Sequence, residues 1–93
     1  MNGFMYLDKY GIMHCTKNEE TAKDYARNGK YVPCELADST GYPEENGKRI
    51  VIYADDKEFY VGGNADGGVK FEEKDFAEKY PKTYEVYKEL IAE

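Results

Sequence analysis

His14 stands beside Cys15, and Cys34 lies further along the chain; these three side chains are the ones whose types suit metal binding or nucleophilic catalysis. A tetrahedral zinc site needs four ligands, or three and a water. Consecutive residues on a strand point to opposite faces, so His14 and Cys15 are poorly placed to share one ion. Cys34 falls in line with Val32 and Leu36, which reads as a small buried hydrophobe. The residues therefore imply no metal and no cofactor. A Cys15–Cys34 disulfide is the minor alternative to plain packing, since disulfide-stapled small domains usually carry four or more cysteines. A cysteine nucleophile with His14 as base would need a third group to orient the imidazole, and no local motif marks one. His14, the only histidine, is the residue on which a small enzyme would depend.

The carboxylates offer acid–base or cation chemistry at Asp55-Asp56, Asp66, Glu72-Glu73 and Asp75. Each has a structural explanation. Asp55-Asp56 sits where a hairpin turns, and Glu72 to Asp75 sits where the positive end of a helix dipole favours acids. The glycine-rich segment 62–68 matches neither the dinucleotide-binding fingerprint nor the P-loop, and Asp66 would repel a phosphate. No catalytic constellation emerges, and the expectation is a non-enzymatic protein.

The one excess is tyrosine, ten in 93 residues. Tyrosine is large, fairly rigid and amphipathic, and is enriched in protein interfaces. Tyr25, Tyr80, Tyr84 and Tyr87 have helical spacing and read as core in a chain with few aliphatic residues. Tyr31, Tyr53 and Tyr60 lie out of phase with the aliphatic residues of their strands. They are the candidate interaction surface, a tyrosine-bearing sheet face that contacts another protein or a second copy of the chain.

Composition removes other classes. The net charge is −6 and is split evenly, −3 in residues 1–46 and −3 in residues 47–93. That balance disfavours direct nucleic-acid binding and a polybasic membrane surface. It leaves, as an alternative function, an acidic inhibitor that mimics nucleic acid in a basic groove. No apolar run reaches the ~18–20 residues of a membrane span, and the first residues lack a signal-peptide layout, so the expected location is cytoplasmic with reduced thiols. Leu, Ile, Val and Phe total only 16 residues, a composition close to that of disordered chains. The tyrosine rings and the periodic segments argue instead for one folded domain over residues 1–93 with an aromatic-heavy core.

These residues must be positioned by short elements. Residues 4–15 read as a hairpin with its turn at Asp8 to Gly11, Tyr10 exposed beside it. Thr16-Lys17-Asn18-Glu19 matches a capping box and predicts a helix over 17–28, closed by Gly29. Residues 30–36 read as an edge strand because Pro33 cannot donate to a ladder. Residues 37–48 read as a polar, turn-rich loop. Residues 49–62 form the strongest hairpin, with Ile50, Ile52, Phe59 and Val61 inward. Val69 to Phe71 is a short strand. From about residue 73 the pattern is helical, interrupted or restarted at Pro81, with a stripe of Tyr84, Tyr87 and Ile91 flanked by Leu90. The expected architecture is α+β: a mainly antiparallel sheet of about five strands in ββαβββ order, one helix after the first hairpin and a helical C-terminus. Whether the 12–36 strand–helix–strand unit crosses over in parallel is open at this level.

Overall fold

The computed structural model describes residues 3–35, 41–62 and 68–92. The architecture is α+β with a helical C-terminus, and the strands form two antiparallel sheets in place of one sheet of about five strands. The first has the order β2-β1-β3, from β1 (Gly3–Leu7), β2 (Met13–Thr16) and β3 (Tyr31–Cys34). The second has the order β4-β5-β6-β7, from β4 (Glu44–Glu45), β5 (Lys48–Tyr53), β6 (Glu58–Val61) and β7 (Val69–Phe71). Three helices complete the chain: α1 (Glu19–Tyr25), α2 (Glu73–Lys79) and α3 (Pro81–Ile91).

β1 pairs antiparallel with β2 and with β3, so β2 and β3 run parallel to each other on its two sides. The strand–helix–strand unit is therefore a crossover that passes α1 over β1. β1 takes up both of its edges in this way, and the next strands start a new sheet. Pro33 lies on the outer strand of its sheet, as a residue without an N–H requires. Leu36, expected to continue that strand, lies outside the described residues.

Alternation along the first sheet divides its side chains between two layers. Met5, Leu7, Met13 and Cys15 are buried in the main core, with Val32 and Cys34 packed against it. Phe4, Tyr6 and Tyr31 face the other way, onto Ala22 and Ala26 at the α1 side. The main core lies between this sheet, the second sheet and the C-terminal helices. Ile50, Ile52, Phe59 and Val61 are buried there as their alternation predicts. Rings fill the space that aliphatic residues do not. Phe59 stacks on Phe76 at 4.8 Å and meets Tyr87 edge-on at 5.2 Å. Each such pair adds about 1 kcal/mol beyond area burial.

Several local expectations change. The helix predicted over 17–28 is seven residues long, Glu19–Tyr25. Its N-cap is Asn18, whose side chain accepts from the Glu20 and Thr21 N–H groups, while Thr16 Oγ1 accepts from Asn18 N–H one step upstream. Asn outcompetes the capping box because its carbonyl reaches both donors from the position next to the helix. Ala26, in extended conformation, ends α1, and Gly29 (φ +73°) turns the chain after it. The loop expected over 37–48 contains β4 and the first residue of β5; Asn46 (φ +57°) and Gly47 (φ +76°) join them as a two-residue Asn-Gly hairpin. Residues 36–40 lie outside the described part. In α3 the buried residues are Thr83, Tyr87 and Leu90, and Ile91 is 39% exposed. Tyr84 is half-buried and donates to Glu73 at 2.9 Å.

Pro81 opens α3 at its first turn, as its fixed φ favours. The N-terminus of α3 receives no cap from its own segment. Instead Glu45 inserts its carboxylate from β4, accepting from Thr83 N–H at 2.9 Å, Thr83 Oγ1–H at 2.7 Å and Lys82 N–H at 3.4 Å. Glu45 is 7% exposed and Thr83 is fully buried. A negative group here satisfies orphan N–H donors and lies at the positive end of the helix dipole. Replacing Glu45 by Ala leaves the buried Thr83 hydroxyl and N–H without this partner. Glu45→Ala is expected to cost about 2 kcal/mol and to lower the Tm by about 10 °C in thermal unfolding by circular dichroism. An unchanged Tm would remove Glu45 as the anchor of α3.

Candidate cleft beside the first turn

Asp8 begins the β1–β2 turn and organises it. Its Oδ1 accepts from Tyr10 N–H at 2.9 Å and Ile12 N–H at 3.0 Å, an Asx-type local arrangement. Gly11 takes φ +80°, and a Cβ there would lie 2.6 Å from Asp55 Oδ2. The glycine therefore serves both the turn's handedness and the close approach of the β5–β6 turn. Ala54 N–H donates to the Gly11 carbonyl at 2.8 Å, and Ile12 forms a bridge with Tyr53, so the two sheets meet at this turn. From the end of α1, Arg27 donates its N–H to the Leu7 carbonyl, while its Nη1 lies 2.9 and 2.8 Å from the two oxygens of Asp55.

These ties leave a cleft of about 580 Å³ between the turn and α1. Tyr6, Asp8 and His14 line it from the first sheet, Lys9 and Tyr10 from the turn, and Thr21, Asp24, Tyr25 and Arg27 from α1 and the residues after it. Tyr10 is 69% exposed, as its place in the turn predicts. Tyr25 is 66% exposed, against the expectation that it belongs to the core. The small side chains of Ala22 and Ala26 make the helix contact, one turn apart, and Tyr25 projects about 100° to their side. Of the four helical tyrosines, Tyr80 and Tyr87 are buried as expected.

His14 lies inside the cleft with both ring nitrogens engaged. Nε2 is 2.8 Å from Asp8 Oδ2, and Nδ1 is 3.3 Å from the Gly41 carbonyl oxygen. Both partners are acceptors, so in either neutral tautomer the ring's lone pair points at one of them. Tyr42 packs on one side of the ring at 5.1 Å and Tyr6 lies 5.8 Å away. The structure does not bring His14 to a thiol. Cys15 is buried in the main core, on the opposite face of β2 from His14, and Cys34 packs against the core from β3. The two cysteines flank β1, Cys15 opposite Met5 and Cys34 opposite Gly3. Two strand spacings separate them, about 10 Å, beyond the reach of a disulfide. Neither forms one.

The three strand tyrosines divide between the sheets. Tyr53 and Tyr60 meet edge-on at 5.7 Å on the second sheet. Tyr31, on the first, packs edge-on against Phe4 at 5.9 Å and donates its hydroxyl to Glu19 Oε2 at 2.9 Å. All three are half-buried. Asp55 is spent on Arg27, and Glu73 and Asp75 occupy the first turn of α2. Asp66 and the glycines between 63 and 67 lie outside the described residues. Among the described residues, no group of three or more His, Cys, Asp or Glu side chains is placed to hold a metal ion. No helix of the described part is long and apolar enough to cross a membrane. The cleft escaped the sequence reading; the turn expected over residues 8–11 pairs Tyr6 with Met13, whereas the observed register places it opposite His14.

Four tyrosine hydroxyls have raised pKa values. For Tyr6 burial is the main cause and the nearby Asp8 charge the next. For Tyr87 burial again leads, followed by Glu73. Tyr31 and Tyr84 are raised chiefly by their hydrogen bonds to Glu19 and Glu73, which hold the neutral phenol. A phenol whose folded pKa lies above its unfolded value stabilises the fold fully below the unfolded pKa and loses that contribution as pH rises through the folded pKa. Stability is therefore expected to hold up to about pH 10 and to fall above it. Absorbance titration of tyrosinate is expected to show a class of tyrosines ionising above 10.0, the ordinary value. A single transition for all ten at that value would contradict the assignment.

No protein-family model matches the chain, and neither a curated protein nor a solved structure matches it.

Proposed function

We propose that the protein is a non-enzymatic binding module and that its contact site is the cleft between the β1–β2 turn and α1. The observation that carries this reading is the pair of exposed tyrosines, Tyr10 and Tyr25, beside a cleft that also reaches the buried Tyr6. Exposed rings on rigid supports give large contact area at low entropic cost. The engagement of both His14 nitrogens supports the non-enzymatic side of the proposal, since a general base must present a lone pair to its substrate. The Tyr53–Tyr60 pair is joined to the same β1–β2 turn through the Ile12–Tyr53 bridge, and we assign it to the proposed surface. Tyr31 is left out of it because Glu19 already takes its hydroxyl. The partner is a protein. The nucleic-acid mimic has weaker support: on the exposed side of α3, Glu85 and Glu89 alternate with Lys82 and Lys88, which breaks an acidic stripe.

Affinity capture from native lysate tests the reading by comparing the wild type with a Tyr10→Ser/Tyr25→Ser double variant of equal Tm. A protein retained by the wild type at moderate salt and lost by the variant is the expected result. Equal retention by both would move the contact site away from the cleft. A basic partner that leaves as salt rises, irrespective of the two tyrosines, would favour the mimic.

A further inference from the structure

We infer that the group this cleft receives is an arginine guanidinium of the partner protein, lying against the exposed Tyr10 and Tyr25 rings and donating to the Tyr6 hydroxyl and the Asp24 carboxylate. The inference rests on the cleft being the contact site, and it assigns the chemistry of the occupant.

Tyr6 is the first indication. It is 9% exposed, and its hydroxyl has no hydrogen-bond partner among the described residues. Arg49 Nε is the one buried side-chain polar atom among them left unpartnered, so the Tyr6 hydroxyl is not sealed in the interior. Tyr6 lines the cleft together with Tyr10 and Tyr25, and its hydroxyl is a polar group among these rings. Such a group specifies the orientation of a ligand.

Lys9 is the second. Its Nζ lies 5.1 Å from the centre of the Tyr10 ring. The chain's own ammonium thus lies at cation–π distance from this ring, an arrangement open to a cation. A partner's guanidinium competes for the same face and stacks on it more fully, because it is planar and less strongly hydrated.

The charges facing the cleft select the same sign once the internal pairs are removed. Arg27 is neutralised by Asp55, and His14 is held by Asp8. Asp24 and Lys9 remain. Lys9 already lies over the Tyr10 ring, whereas Asp24, mounted on α1 beside Tyr25, has no ion-pair partner among the described residues. The tyrosine hydroxyls and Asp24 can all accept, and a guanidinium supplies donors only.

The test is a titration of the full-length, ¹⁵N-labelled chain with acetylated and amidated Gly-Arg-Gly, Gly-citrulline-Gly, Gly-Glu-Gly and Gly-Phe-Gly, read by amide shifts. The arginine peptide is expected to move the amides of Tyr6, Asp24 and Tyr25 saturably. The uncharged citrulline peptide is expected to bind about two- to five-fold more weakly. Asp24→Asn and Tyr6→Phe, each checked for an intact spectrum, are expected to weaken the arginine peptide by a similar factor, and Lys9→Ala to tighten it. Preference for the glutamate or phenylalanine peptide at these amides overturns the guanidinium assignment and leaves the binding cleft in place. No shift at the cleft with the arginine peptide at millimolar concentration also overturns it. The proposed function itself falls only if the Tyr10→Ser/Tyr25→Ser variant captures partners as well as the wild type does.

Discussion

Strand β1 is hydrogen-bonded along both edges and packed on both faces, and most of the molecule is arranged by that fact. Its five residues cannot slip by one position without exchanging Met5 and Leu7, which fill the main core, for Phe4 and Tyr6, which meet the α1 side. Fixing this register fixes β2 and β3 on either side, and through them the crossover that carries α1. The layer on the α1 side is thin. Ala22 and Ala26 let the helix approach closely, so Tyr6 is covered while Tyr25 is not. The cleft is the space left where a seven-residue helix fails to cover a strand pair and its turn.

The second sheet and the C-terminal helices solve a different problem, the shortage of aliphatic side chains. Phe59, Phe76, Tyr84 and Tyr87 form a continuous set of ring contacts between β6 and the helices. Rings must hold definite relative angles to pack well, and a helix that drifts would lose several contacts together. Glu45 prevents that drift at one end of α3. Its carboxylate joins the short β4 strand to buried donors of the helix, which explains why a two-residue strand persists at all. The burial of this acid is tolerable because three donors meet it and the helix dipole favours it.

The joint between the sheets is what gives the cleft its shape. Gly11, Ala54, Asp55 and Arg27 come from three separate segments and meet through backbone and side-chain hydrogen bonds. One of these ties, Arg27 to Asp55, engages a guanidinium that lines the cleft. The Arg27–Asp55 pair is exposed and so adds little stability, yet it sets which charges a ligand meets. The engagement of His14 by Asp8 and the Gly41 carbonyl acts likewise, turning the only histidine into part of the wall.

Much of the secondary structure was legible from local rules. Hairpin alternation placed Ile50, Ile52, Phe59 and Val61 inward, Pro33 marked an outer strand, and Pro81 marked the start of a helix. The Asn46-Gly47 dipeptide also carried a hairpin signal that the polar surroundings masked. Helix α1 was overestimated because Thr16 and Gly29 looked like its caps, whereas Asn18 and Ala26 close it two to three residues sooner at each end. The split into two sheets was not legible, because pairing partners are chosen by which edges remain open after β1 is enclosed. The tyrosine excess announced an aromatic protein but not which rings stay outside. Tyr6, Tyr10 and Tyr25 come from a strand, a turn and a helix, and their spacing in the chain carries no sign of a shared site. The sequence by itself determined the elements and their inward faces, since these depend on neighbours a few residues away. Only the tertiary structure decided the sheet pairing, the commitment of His14 and the cleft, since each depends on contacts between segments far apart in the chain.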